Sequence, residues 1–258
     1  MRMRVRVMTF NVRFDSPDDA PDNTWAKRRD AALEVMRTHR PDVVGMQEAM
    51  AHQVEDVRRG LPGYTFFGRP RDLTPQGEYV PLLWRSERFD ADQTGVFWLS
   101  ETPDVEASKG WDADNPRIAT WAVLRDRESS RMFLAVNTHL DRWGELARRS
   151  GAELLVSRAA ERFAGMPLVV TGDMNESYGD PAMHVFSSAL LRDSYADVAD
   201  DVPPTIHHYG ERFGRKIDFV LCDPNWKVLG AEVLGDRPDG QWPSDHYPVV
   251  ADLELIDA

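Results

Sequence analysis

The sequence predicts an α/β fold in which two β-sheets pack face to face and helices cover their outer surfaces. Three observations support this prediction. Apolar segments with the length and alternation of strands outnumber segments with helical spacing. The helical segments occur mainly between strands in each half of the chain, which suits two covered sheets better than one doubly wound sheet. Several apolar strands also end directly in Asn, Glu, His or Asp, and such groups need a partner when buried.

The composition predicts one domain spanning residues 1–258. The chain is 42% hydrophobic, and no Pro/Gly/Ser-rich linker or charge block divides it. A net charge of -12 argues against general affinity for nucleic acid or an anionic membrane. The single cysteine, Cys222, suits a buried strand position and a reducing compartment. No signal peptide or membrane-spanning run is recognisable, so we expect a soluble, cytoplasmic protein. We also expect it to be a monomer.

The first half of the chain predicts five strands and two helices. Residues 3–10 alternate and end at Asn11. Asn23 or Thr24 can cap a helix that Pro41 ends, and a second helix follows Glu48 and stops at Pro62. The remaining strands are predicted at 42–48, 64–68, 80–84 and 96–99.

The second half predicts a hairpin, two helices and four further strands. Residues 118–125 and 132–136 form the hairpin across the turn at 126–130. A long helix at 145–163 precedes the central buried strand at 168–173, and a shorter helix follows Asp180-Pro181. Later segments predict a hairpin loop at 210–216 and strands at 216–221, 227–234 and 247–255.

Six strand ends carry polar groups suited to chemistry. Oxygen ligands such as carboxylates and amides match a hard divalent cation, and the absence of a Cys cluster or a His-x-x-x-His pair disfavours zinc. Carboxylates, amides and histidines around a metal suit hydrolysis of a phosphate ester. These strand-end groups are Asn11, Glu48, residues 137–141, Asp173 with Asn175, Asp218, and Asp245-His246.

Asp218 is the most telling of these residues. It lies within an apolar strand, where a lone carboxylate needs a partner. A histidine is a natural partner, because a carboxylate fixes the tautomer and orientation of an imidazole and stabilises its charged form. Such a pair can transfer protons near neutral pH.

Taken together, these segments resemble the endonuclease/exonuclease/phosphatase superfamily. They occur in the family's order between residues 9 and 248, and as a set they are highly specific. The resemblance implies a four-layer α/β sandwich with a Mg²⁺-dependent phosphoesterase site at one rim, with Mn²⁺ as an alternative ion. The matching motifs are Thr9-Phe10-Asn11-Val12-Arg13, Gln47-Glu48, Asn137-Thr138-His139-Leu140-Asp141, Gly172-Asp173-Met174-Asn175, Ile217-Asp218-Phe219 and Ser244-Asp245-His246-Tyr247-Pro248.

The resemblance also implies a role for each metal-site residue. Glu48 would be the main metal ligand. Asn11 would lie beside it and bind or orient the metal and water, and Asp245 would lie in the metal shell through water.

The remaining roles concern water and phosphate. Asp173 would position or activate the attacking water, while Asn175 would hold the phosphate and His139 would contact it. Asp218 would orient His246, which acts as a base or as a stabiliser of the transition state. The sequence leaves open whether Asp173 or His246 takes the proton from water.

The sequence departs from one branch of the family at Arg13. Abasic-site nucleases carry an acid at this position, so a second acidic metal site near Asn11 is in doubt. An arginine here can instead contact the phosphate. Arg117 and Arg142 are further candidates for substrate binding, and Trp242 is a candidate wall of the substrate pocket.

His207 and His208 are an unconvincing metal pair. Adjacent residues on a strand point to opposite faces, so we expect both to be surface histidines.

The favoured function is hydrolysis of a phosphate ester of a small phosphorylated molecule. The acidic net charge favours this substrate class. The first alternative is a nuclease, either an endonuclease or a 3′-exonuclease of the deadenylase kind, which would need a basic track. The second is a non-catalytic module that binds phosphorylated ligands, but the intact set of site residues argues against it.

Overall fold

The computed structural model of the protein describes residues 2–74, 77–210 and 214–256. In this part of the chain, the strands are β1 (Arg4–Asn11), β2 (Val43–Gln47), β3 (Tyr64–Phe67), β4 (Leu82–Arg85), β5 (Phe89–Trp98), β6 (Ile118–Asp126), β7 (Met132–His139), β8 (Leu168–Asp173), β9 (Arg192–Asp193), β10 (Asp218–Cys222), β11 (Trp226–Val233) and β12 (Val249–Leu255). The α-helices are α1 (Trp25–His39), α2 (Ala51–Gly60), α3 (Glu145–Arg162) and α4 (Pro181–Ser188).

The strands form two six-stranded mixed sheets. The first has the order β11-β12-β1-β2-β4-β3, and the second has the order β5-β6-β7-β8-β10-β9. Each sheet contains one parallel pair near its centre, β1 with β2 and β7 with β8, and its other pairs are antiparallel. This arrangement places the carboxyl ends of two central strands of each sheet at one edge.

Three large apolar clusters hold four layers together. One cluster joins the facing surfaces of the two sheets, with Val5 and Leu253 from the first and Leu124 and Val220 from the second. A second packs α3 and α4 on the outside of the second sheet, and a third packs α1 and α2 on the outside of the first. The predicted α/β sandwich is therefore confirmed.

A buried polar contact also joins the two sheets. Asn137 on β7 donates from Nδ2 to the carbonyl of Met46 on β2 at 2.7 Å and accepts from the amide of Gln47 at 2.7 Å. The sheets approach so closely here that a Cβ on Gly45 would lie 2.0 Å from the Thr171 hydroxyl. Asn137 thus sits between the sheets, where its hydrogen bonds set their relative position.

Most predicted elements appear with small shifts at their ends. The hairpin of β6 and β7 is antiparallel as predicted, and Cys222 is buried in β10. Strand β5 begins at Phe89, well before the predicted start, because its residues 90–94 are exposed and mostly polar and show no alternation of apolar side chains. The short β9 was not predicted, and the predicted loop at 210–216 lies partly outside the described residues.

Within the described residues, no helix has the length and apolar character needed to span a membrane.

Candidate active site

Strand pairing in the second sheet brings three polar residues to one edge. Parallel β7 and β8 place His139 opposite Asp173. Strand β10 runs antiparallel to β8, so its first residue, Asp218, also lies opposite Asp173. Asp218 therefore begins its strand rather than lying within it as predicted, because pairing in β10 starts only at the register position of Asp173.

The first sheet contributes Asn11 and Glu48 at the same rim. Parallel β1 and β2 place Asn11 opposite Gln47, and Glu48 follows directly. The amide of Asn11 donates to Glu48 Oε1 at 3.1 Å and to Asp173 Oδ2 at 2.9 Å. One side chain thus aligns a carboxylate from each sheet.

Several residues at these strand ends have a left-handed backbone. Arg13, Glu48 and Asn175 have φ angles of 55°, 63° and 52°. Positive φ is uncommon for residues other than glycine, and it concentrates at functional sites when the surrounding structure holds it. Here the Glu48 carboxylate accepts from the Phe14 amide, and Asp173 accepts from the Asn175 amide at 2.9 Å.

His246 and Asp218 form a buried pair. The Nδ1 atom of His246 lies 2.9 Å from Asp218 Oδ2, and both side chains are at least 95% buried. Burial alone would lower the pKa of His246, but the carboxylates of Asp218, Asp245 and Asp173 outweigh it and hold this pKa well above its usual value. The pair thus favours an imidazolium with Nε2 left for other contacts.

Asp173 lies at the centre of the cluster. Burial and the neighbouring Asp218 carboxylate raise the pKa of Asp173 to about 7. Its Oδ2 atom lies 3.6 Å from His139 Nε2 and 3.9 Å from His246 Nδ1. A carboxyl group in this setting can exchange protons near neutral pH.

Asn175 and His139 are joined beside Asp173. The Nδ2 atom of Asn175 lies 3.0 Å from His139 Nε2 and donates to the Leu140 carbonyl at 3.0 Å. Burial, together with the charges of Arg117 and Arg71, holds the pKa of His139 well below its usual value. A neutral His139 can accept the hydrogen of the Asn175 amide at Nε2.

Asp245 lies on the other side of His246. Its carboxylate is 4.0 Å from His246 Nε2 and 4.0 Å from Arg13 Nε, and it is buried. Arg13 also donates to Asp19 at 3.0 Å, and its guanidinium lies 4.5 Å from the Phe14 ring.

The side chains of this site line a cleft of about 440 Å³, except Asn11 and Asp218, which are not among its lining residues. Arg13, Arg117 and Arg142 line it, as expected for substrate-binding candidates. Arg71 and Glu78 line it as well, and sequence reasoning missed them because they lie in a loop after β3, away from any strand end. Arg71 and Glu78 are seven residues apart in this loop, and no helical or strand pattern of apolar residues marks them in the sequence.

Trp242 is not among the side chains that line this cleft. Its ring packs 4.5 Å from His207, and the Arg237 guanidinium covers it at 3.9 Å.

The prediction of a surface histidine is wrong for His207, because stacking on Tyr247 at 3.9 Å and on Trp242 buries it. His208 is exposed and lines the cleft.

Arg28 is a second group that sequence reasoning missed. It is fully buried on α1 and donates to the carbonyls of Val12 at 2.7 Å, Arg13 at 3.1 Å and Pro243 at 3.1 Å. These carbonyls belong to the loops that carry Arg13 and Asp245. The sequence did contain a signal for Arg28. This residue falls on the apolar face of the predicted helix, where a charged side chain is unusual.

The donor atoms fit a divalent cation. Ligand atoms of Glu48, His139 and Asp173 lie within 4.8 Å of one another, and a second such group comprises Asp173, Asp218 and His246. The carboxylates of Glu48 and Asp173 come from different sheets, and the amide of Asn11 aligns them. This pair matches the preference of Mg²⁺ for a few carboxylate oxygens plus water. The residues at this rim could therefore hold a metal.

Comparison with known proteins shows extensive similarity. Residues 8–246 match the family described as Endonuclease/Exonuclease/phosphatase family. A solved endonuclease/exonuclease/phosphatase from Bacteroides vulgatus is 38% identical, with 98% of this chain and 100% of that chain covered and a TM-score of 0.92. A mannosyl-6-phosphatase from Bacteroides thetaiotaomicron is 32% identical, with coverages of 96% and 99% and a TM-score of 0.89.

A more distant structure shares the fold. The catalytic domain of human Nocturnin with a bound sulfate is 21% identical, with coverages of 99% and 97% and a TM-score of 0.78. No protein of curated function matches the sequence at a significant level.

Proposed function

The chain belongs to the endonuclease/exonuclease/phosphatase family, and from this membership we propose that it is a divalent-cation-dependent phosphoesterase that releases phosphate from a small phosphorylated molecule. One observation carries the proposal. Glu48, Asp173 and His246 line one cleft although they come from distant parts of the chain, and Asp218 holds His246 there through Nδ1.

Glu48 would hold the cation, with Asn11 aligning its carboxylate toward Asp173. Oxygen donors favour Mg²⁺, with Mn²⁺ as an alternative, and the ion would polarise the phosphoryl oxygens. Asp245 lies close enough to Arg13 and His246 to steady the rim of the same site.

The protein's own groups would position and activate the reactants. His139 would contact the phosphoryl group and Asn175 would hold it, and Asp173 would orient the water and accept its proton. His246, held by Asp218 through Nδ1, would present Nε2 to the charge that develops on the phosphoryl group. Arg13, Arg117 and Arg142 line the cleft and would contact the bound substrate.

Two observations favour a small substrate over a polynucleotide. The net charge of -12 gives the protein little attraction for a polyanion. The mannosyl-6-phosphatase from Bacteroides thetaiotaomicron, similar over nearly the whole chain, is named for a phosphorylated sugar instead of a polynucleotide.

The test is one panel of substrates assayed with Mg²⁺, with Mn²⁺ and with EDTA. The panel holds p-nitrophenyl phosphate, bis-p-nitrophenyl phosphate, and labelled single-stranded DNA and RNA. We expect cation-dependent release of phosphate from the monoester. Degradation of polynucleotide at physiological salt, with no small ester cleaved, would contradict the proposal.

A further inference from the structure

We propose that the cleft beside the phosphate site binds the hydroxyl groups of a neutral pyranose, with Arg71 and Glu78 as a pair that determines specificity. This inference rests on the proposed function and names the class of molecule from which phosphate is removed.

Arg71 and Glu78 form a donor–acceptor pair in the cleft wall. Arg71 Nη2 donates to Glu78 Oε1 at 2.7 Å, and their backbones are also joined, from the Arg71 amide to the Glu78 carbonyl at 2.9 Å. Arg71 is 91% buried, and its Nε has no hydrogen-bond partner among the described residues. A buried donor left without a partner is costly, so this pair is built to receive a ligand atom.

A second pair of the same kind lies nearby. Arg117 Nε donates to Asp141 Oδ2 at 3.1 Å, and Arg117 Nη1 is likewise buried with no partner in the described part of the chain. Asp114 and Asn115 complete this wall, joined by a 3.0 Å hydrogen bond between their side chains. Alternating donors and acceptors match hydroxyl groups, each of which donates one hydrogen bond and accepts others.

Both arginines lie close to the phosphate site. They line the same cleft as His139 and Asn175, and their positive charges contribute to the lowered pKa of His139. A molecule whose phosphate reaches His139 and Asn175 therefore places its next few atoms beside Arg71 and Arg117.

The charges in this part of the cleft favour a neutral group over a second anion. Arg71 is paired with Glu78, Arg117 with Asp141, and Arg13 with Asp19. The carboxylate of Asp114 adds a further negative charge to the wall and offsets Arg142, whose guanidinium packs on the Trp143 ring. A second phosphate, or the next nucleotide of a polynucleotide, would meet these carboxylates and be repelled.

Trp143 supplies an apolar surface at the mouth of the cleft. Its side chain is 69% exposed, and the Arg142 guanidinium lies 4.8 Å from its ring. The apolar face of a sugar ring can rest on an indole while its hydroxyls point to polar walls.

The first measurement compares esters that differ only in hydroxyl groups. Glucose 6-phosphate and mannose 6-phosphate are assayed against cyclohexylmethyl phosphate, which has a six-membered ring without hydroxyls, at saturating Mg²⁺. We expect kcat/KM to be at least ~100-fold higher for one or both sugar phosphates, because a site built to bind hydroxyls rejects the analogue that lacks them.

The outcomes separate this inference from the proposed function. Equal kcat/KM values for the sugar phosphates and cyclohexylmethyl phosphate would overturn the inference and leave the phosphatase proposal standing. A preference for fructose 1,6-bisphosphate or AMP over both hexose phosphates would also overturn it. Hydrolysis of none of these esters would overturn the proposed function and the inference together.

The second measurement tests the residues. In Glu78→Gln, the ratio of kcat/KM for the better hexose phosphate to that for cyclohexylmethyl phosphate should fall at least ~10-fold. Glu87→Gln changes a glutamate that is paired with Arg85 outside the cleft, so it is the matched control and should keep the wild-type ratio. Asp114→Asn, at an exposed position that does not threaten folding, should lower the ratio in the same direction. If both esters slow equally in Glu78→Gln and in Asp114→Asn, the assignment is wrong.

Discussion

At the scale of single residues, the two ring nitrogens of His246 make different contacts. Nδ1 is held by Asp218 at 2.9 Å, and Nε2 lies 4.0 Å from Asp245 at the edge of the cleft. The surrounding carboxylates keep the pKa of this imidazole well above its usual value. In the proposed reaction, the charged ring would face the negative charge that develops on the phosphoryl group.

His246→Ala should therefore lower turnover of a small phosphomonoester by at least ~100-fold with the fold intact. The measurement is initial phosphate release at saturating substrate, with circular dichroism to verify folding. His184→Ala, an exposed histidine on α4, is the control and should turn over like the wild type. Turnover of His246→Ala within a few-fold of wild type would remove this residue from the mechanism.

Asp141 is a buried residue that we expect to stabilise the fold. Its carboxylate accepts from the amides of Gly144 at 2.8 Å and Trp143 at 3.0 Å, and from Arg117. Burial alone would raise the pKa of Asp141, but the Gly144 amide and Arg117 outweigh it, so the pKa is lowered. A carboxylate with a lowered folded-state pKa stabilises the protein above its unfolded-state pKa, and this contribution is lost as the pH falls through the folded-state value.

Asp141→Asn should thus destabilise the protein by about 2 kcal/mol at pH 7, with the difference from wild type shrinking below about pH 4. The measurement is urea unfolding of both proteins at several pH values. A difference that stays constant from pH 7 to pH 3 would show that the charge of Asp141 does not supply its stabilising effect.

At the scale of elements, α1 supports the active site through one side chain. Arg28 reaches from this helix to carbonyls in the loop after β1 and in the loop before Asp245. Burial lowers the pKa of its guanidinium, and its side-chain hydrogen bonds go to backbone carbonyls instead of a carboxylate. The helix thereby joins two loops that carry site residues from opposite ends of the chain.

Arg28→Met should lower the free energy of unfolding by about 2–4 kcal/mol, because it leaves several buried carbonyls without donors. Turnover should fall ~10-fold as the loops lose their alignment. Arg29→Met changes the partly exposed neighbour on the same helix and should alter stability by less than about 0.5 kcal/mol. Equal effects of the two substitutions, measured by urea unfolding, would contradict the role of Arg28.

The helices and strands themselves were largely predictable, because the spacing of their apolar residues is visible in the sequence. Strand β8 and helix α1 are examples with clear patterns and clear ends. Strand β5 was predicted too short, since its edge position exposes residues 90–94 and removes the alternation. Asn137 was grouped with the reactive strand ends, but its position between the sheets depends on a pairing that only the folded chain reveals.

At the scale of the whole molecule, strand order creates the site. Asn11, Glu48, Asp173 and Asp218 are spread over more than two hundred residues, yet two parallel pairs and one antiparallel neighbour bring them to one rim. The strand-end members of the site could therefore be predicted from the sequence, because strand ends meet at one edge of a sheet. Arg71, Glu78 and Arg28 could not, because a loop or a helix carries them and only tertiary packing directs them to the site.

The central claim is that this rim binds a divalent cation and a phosphoryl group together. It is tested most directly by phosphate release from a small phosphomonoester, measured for wild type and Glu48→Gln across a Mg²⁺ titration after treatment with EDTA. Glu55→Gln, an exposed position on α2, is the control. We expect wild type and Glu55→Gln to be inactive in EDTA and to recover with Mg²⁺, while Glu48→Gln stays at least ~100-fold slower. Full wild-type activity in EDTA, or near-normal turnover by Glu48→Gln, would contradict the claim.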